Sequence, residues 1–174
     1  MKNKTLQTLK YILLDAVSAA TAWTLFFYYR SVSVENGVFV FSETYILGSI
    51  IITTLWLLIY VSLGSYKNIY RKSRLKEFGQ TFISSVLGVT ILFFAVLIDD
   101  FIVTYKQYYF SYLVLFGYHF GITTCFRFFL SSVNAYRIHN KLIGFKTLII
   151  GSNEKAARLF IDLENEVKSS GHNI

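Results

Sequence analysis

Residues 44–64 read TYILGSIIITTLWLLIYVSLG, and residues 65–77, SYKNIYRKSRLKE, follow directly. The first block carries no charged side chain, and as a helix rising 1.5 Å per residue it covers about 30 Å, the thickness of a hydrocarbon layer. The second block sets Lys67, Arg71, Lys72, Arg74 and Lys76 against a single Glu77. An uncharged helix that ends in a cluster of cations reads as a span leaving the membrane on its cytoplasmic side.

The same pattern extends in both directions. Tyr11–Tyr29, Phe78–Ile98 and Tyr108–Phe126 are further apolar stretches of spanning length, and among them only Asp15 is charged. The chain of 174 residues is 54% hydrophobic and 18% aromatic, with a mean hydropathy of +0.48. A soluble protein of this size has no core large enough to hide four such helices, so the fold class expected is an α-helical integral membrane protein.

Charge sets the orientation. Lys2, Lys4 and Lys10 precede the first span, and Arg137, Lys141 and Lys146 follow the fourth. The first connection holds Arg30, Glu35 and Glu43, and the third holds Asp99, Asp100 and Lys106, so both are poor in cations. Both termini and the middle loop are therefore expected in the cytoplasm. This distribution accounts for the net charge of +7 without a nucleic-acid partner. The tyrosine-rich basic loop reads as a segment on the membrane surface that enforces this topology.

Cys125, the single cysteine, lies in the fourth span, where it reads as a small apolar filler; no intrachain disulfide is possible. Phe26, Phe27, Tyr28 and Tyr29 stand where signal-peptide cleavage would need small residues, so the first span is read as retained. Proline is absent, against about nine expected in a chain of this length, so the spans have no proline kinks. That weighs against a transporter with broken helices. In the first connection, Val32, Val34, Val38 and Val40 around Asn36-Gly37 predict a short external hairpin.

Asp15 and Arg127 are the sharpest intramembrane signal. A charge inside a span costs roughly 2.5–3.5 kcal/mol, so it normally faces a partner or water. Asp15 lies about 7 Å past Lys10, and Arg127 ends the fourth span near the same boundary. We expect them to meet inside the bundle as an ion pair; the competing reading is direct binding of a phosphate. His119 has no ligand at metal spacing and reads as an interhelical hydrogen-bonding residue. His139 and His172 carry no signal, and Asp99-Asp100 reads as a polar stop. No catalytic, cofactor-binding or metal site is assigned to any residue. Ser18, Ala19, Ala20 and Ala22, with Gly48 and Ser49, permit close helix packing, either within the chain or in a homo-oligomer.

After Ser131 the chemistry changes. A four-helix membrane domain over 1–131 is followed by a polar, basic linker helix over 132–144 and a third region over 145–174. There Phe145–Ile150 reads as a short strand, Gly151 as a tight turn, and the following stretch as a helix with Ala156, Phe160, Leu163 and Val167 on one face. This is the expected first βα unit of a truncated Rossmann-like domain. Gly151 and Ala156 fit the ends of a dinucleotide fingerprint, but Asn153 replaces its middle glycine, so no bound cofactor is expected.

This order of elements resembles the N-terminal region of bacterial polyprenyl-phosphate sugar-1-phosphate transferases, which initiate exopolysaccharide, capsule or O-antigen synthesis. The residues that carry the resemblance are Leu14-Asp15, Ala22-Trp23-Thr24-Leu25-Phe26-Phe27 and Arg30 in the first span, Tyr70–Glu77 before the third, and Thr147–Gly151 with Asn153–Ala156 in the tail. The resemblance implies location in the bacterial inner membrane. It also implies undecaprenyl phosphate as a partner, and magnesium-assisted transfer of a sugar 1-phosphate in the full-length enzyme by a later domain not represented here. Membrane-bound nucleoside-diphosphate-sugar dehydratases or epimerases look similar but need a working NAD site. A small non-enzymatic membrane subunit is the alternative from another class.

Overall fold

The computed structural model describes residues 3–34, 37–67, 73–97, 105–140, 142, 144–151, 153–165 and 171–173. The chain forms two compact units, Met1–Phe128 and Phe129–Ile174. Four helices dominate: α1 (Asn3–Tyr29), α2 (Glu43–Ser62), α3 (Arg74–Leu92) and α4 (Tyr105–His139). All four are long and apolar enough to cross a membrane, as in a multi-pass membrane protein. Wider π-helical turns follow α1 over Arg30–Val34 and α3 over Phe93–Leu97.

Local causes set the starts of α2 and α3 and the end of α2. The Ser42 hydroxyl caps α2 by accepting from the Tyr45 N–H at 3.2 Å, and Ser73 caps α3 by accepting from the Lys76 N–H at 3.3 Å. Gly64 closes α2. At φ 65° it takes the left-handed conformation in which glycine carries no Cβ penalty. Gly64 N–H bonds the Val61 carbonyl and Ser65 N–H bonds the Tyr60 carbonyl, the paired bonds of a Schellman cap. That cap reverses the chain, which decides where Tyr66 goes.

Beside a core of Trp23, Phe26, Ile52, Trp56, Tyr60, Val89 and Leu92, helices α3 and α4 turn many polar residues inward. On α3 the buried line is Glu77, Thr81, Ser84, Ser85 and Gly88, joined by Val89 and Leu92, while Phe82, Ile83, Leu87 and Ile91 are exposed. On α4 the buried line is Ser111, Leu115, His119, Thr123 and Arg127, at four-residue spacing. A spacing of 4 exceeds the helical 3.6, so this line slants across the helix, as i±4 ridges do in packed pairs. Lipid is as apolar as leucine; small and polar side chains therefore turn inward, where they pack closely and bond. Gly88 shows how close the packing is: a Cβ there would lie 2.1 Å from the Trp56 ring. Gly48 packs under Trp23, and Ser18, Ala19 and Ala22 are buried, so these small residues are used within the chain.

Two sequence expectations need correction. Gly37–Ser42 forms no strand, so the hairpin is absent among the described residues; Asn36, its proposed centre, lies outside them. More importantly, the expected βα unit of a Rossmann-like domain is not present. Thr147–Ile150 forms no strand, and the described residues otherwise form five helices. The exception is a two-residue parallel pairing of β1 (Phe145–Lys146) with β2 (His172–Asn173), too short to make a sheet. The physical reason is lack of cover. A parallel strand is stable when both its faces are buried, yet Leu148 is 83% and Ile150 91% exposed. The fifth helix, α5 (Glu154–Asn165), buries none of its residues, and Leu159, Phe160 and Ile161 are all exposed. Val167 of the expected apolar face lies outside the described residues.

Candidate functional site

The interior of the four-helix unit holds a polar network that draws on every helix. Asp15 comes from the second turn of the apolar part of α1, and Arg127 from the buried line of α4. Arg127 Nε donates to Asp15 Oδ1 at 2.9 Å, and Nη2 donates to Oδ2 at 2.8 Å. The pair is therefore bidentate, the geometry in which a guanidinium binds a carboxylate most strongly. Both side chains are almost completely buried.

Further neighbours bond to the pair. Arg127 Nη1 donates to Thr81 Oγ1 at 3.1 Å, and the Thr81 hydroxyl donates to the Glu77 carbonyl at 2.8 Å. The guanidinium carbon lies 4.3 Å from the centre of the Tyr60 ring on α2, a cation–π contact. Tyr66, turned back by the Gly64 cap, donates its hydroxyl to Asp15 Oδ2 at 2.9 Å. Burial, with the Asp15 carboxylate beside it, pushes the Tyr66 phenol well above its ordinary 10.0, which keeps it a proton donor.

About two turns from Arg127 along α4 sits His119. Its Nε2 lies 3.0 Å from the Tyr60 hydroxyl and its Nδ1 3.0 Å from Ser85 Oγ. A neutral imidazole donates from one nitrogen and accepts at the other, and a hydroxyl on each side satisfies either tautomer. The Trp56 ring stacks on the imidazole at 3.4 Å between centroids and 9° between planes. With both nitrogens engaged, His119 is an interhelical tie rather than a metal ligand. Ser18 extends the network along α1: its hydroxyl reaches the Asp15 carbonyl at 2.8 Å and Thr123 Oγ1 at 3.2 Å.

No known protein family, curated protein or solved structure matches this chain. Asp15 and Arg127 face each other, and both carboxylate oxygens and all three guanidinium nitrogens are engaged within the chain. Asp15 does not suit magnesium, since one carboxylate oxygen holds Arg127 and the other holds both Arg127 and Tyr66. Cys125 is exposed on α4 and so fills no gap in the core. Asp99 and Asp100 lie outside the described residues.

Sequence reasoning had not singled out Tyr60, Tyr66, Thr81, Ser85 or Thr123. A signal for most of them was present. Thr81 and Ser85 stand four apart on α3, as do His119, Thr123 and Arg127 on α4, and polar residues repeating along one line of a membrane helix mark its inward face. Tyr66 had no such signal, because it belongs to a turn.

Proposed function

We propose that the four-helix unit is the membrane-anchoring region of a polyprenyl-phosphate sugar-1-phosphate transferase in the bacterial inner membrane, with both termini cytoplasmic. The observation that carries this reading is the closed Asp15–Arg127 network. It pairs the buried carboxylate of α1 with the buried guanidinium of α4, a cross-link between the first and last helices that suits a rigid anchor. The stretch of span one that carries the resemblance supplies several of the core residues: Asp15, Ala22, Trp23 and Phe26 are all buried. The bundle's role on this reading is anchoring. The transfer itself moves a sugar 1-phosphate from a nucleoside-diphosphate sugar to a lipid phosphate and releases a nucleoside monophosphate.

The test uses the native gene product in bacterial membranes, given undecaprenyl phosphate, magnesium and a panel of radiolabelled nucleotide sugars. The expected result is label in the lipid extract, with nucleoside monophosphate released in equal amount. Absence of lipid-linked label across the panel overturns the reading. A 4-keto sugar formed with NAD would instead assign a dehydratase.

A further inference from the structure

We propose that residues 38–41, between α1 and α2, form a strap immersed in the lipid headgroup–acyl boundary on the membrane face opposite the basic sequence 65–77. Gly37–Ser42 carries no charge, and four of its six residues are Val38, Phe39, Val40 and Phe41. Val38 is 85%, Val40 63% and Phe41 70% exposed, so three large apolar side chains stand together on an outer surface. In water each would forfeit about 25 cal/mol per Å² of apolar area.

The depth of the strap is set by the fourth side chain. Phe39 packs on Phe27 and Tyr28, both in the last turns of α1, with ring centroids 6.0 Å away in each case. It also meets Tyr45 in the first turn of α2 at 5.6 Å and Phe41 at 4.8 Å. Tyr45 is fixed in turn by a 2.7 Å bond between its hydroxyl and Thr24 Oγ1. Gly37 N–H bonds the Ser31 carbonyl at 2.8 Å, and Ser42 N–H closes a local turn on the Val40 carbonyl at 2.9 Å. Phe39 thus holds the strap level with the ends of two spans, continuous with their lipid-facing surface.

The occupant follows from that level. A non-helical segment cannot satisfy its own backbone in hydrocarbon, which keeps it out of the bilayer core. Aromatic side chains favour the boundary, where rings meet lipid and backbone groups meet water and headgroups. Tyr109 and Phe110 are exposed on the opening turns of α4, and Tyr29 lies 5.9 Å from Phe110, which extends the aromatic girdle around the bundle.

The test uses the full chain with Cys125→Ser, reconstituted in phosphatidylcholine–phosphatidylglycerol vesicles. A nitroxide is placed singly through Val38→Cys, Val40→Cys or Phe41→Cys, with Lys155→Cys on α5 as the water-facing control. Val38 and Val40 make none of the ring contacts that hold the strap, so labels there leave its anchor intact. The expected result is an oxygen-to-nickel-chelate collision ratio several-fold above the control at all three positions. A ratio equal to the control puts the strap in water and overturns the proposal. Exclusion of both reagents, with dipolar broadening that disappears on dilution with unlabelled protein, assigns the surface to a second copy and also overturns it.

Discussion

Asp15 accepts from Arg127 at both oxygens and from Tyr66 at one, so removing either charge strands the other in a buried, low-dielectric site. Breaking a buried pair from one side typically costs about 3–5 kcal/mol, whereas replacing both partners with apolar residues costs far less. Arg127→Met should therefore destabilise the bundle more than the double variant Asp15→Leu/Arg127→Met, measured by denaturant titration in detergent micelles. Arg127→Lys should fall between wild type and Arg127→Met, because an ammonium keeps the charge but loses the planar fork. That these two residues face a partner was legible in the sequence, since an unpaired charge in a span is expensive. The hydroxyls that complete the shell were harder to see: a threonine or tyrosine in a membrane helix is cheap enough to sit anywhere.

At the scale of the helix, the sequence shows a span by its length and its inward face by where the small and polar residues recur. Gly88 and Gly48 make the two grades of packing measurable. A Cβ at Gly88 would lie 2.1 Å from the Trp56 ring, whereas one at Gly48 would lie 3.7 Å from Trp23, an ordinary contact. Gly88→Ala should destabilise by about 1–3 kcal/mol, the usual range for overpacking, and disturb the Trp56–His119 stack, read as a change in near-UV circular dichroism. Gly48→Ala should leave both stability and spectrum close to wild type. The tail teaches the opposite lesson. Thr147–Ile150 has the composition of a strand, but composition supplies no neighbour to bond and no layer to cover Leu148 and Ile150. Strand propensity measures how well a residue fits a half-buried sheet, and without the sheet it is not realised.

For the molecule as a whole, the charge pattern predicts an arrangement that reporter fusions can check. A phosphatase active only outside the cytoplasm should be inactive when fused after Arg74 and active when fused after Val40; the reverse pattern would invert the bundle. Four spans and their order were determined by the sequence alone, because burial in lipid depends on length and mean polarity, which are local sums over about 20 residues. The meeting of Asp15 with Arg127 was foreseeable for a related reason: depth in a membrane is counted along each helix, so two charges at equal depth can be matched without knowing how the helices turn. Tertiary structure alone decided the rest. Which hydroxyl reaches the guanidinium depends on helix rotation and crossing. Tyr66 reaches Asp15 only because the left-handed cap at Gly64 turns the chain back over the bundle. Whether an apolar run becomes a strand depends on partners distant along the chain, which no local reading supplies.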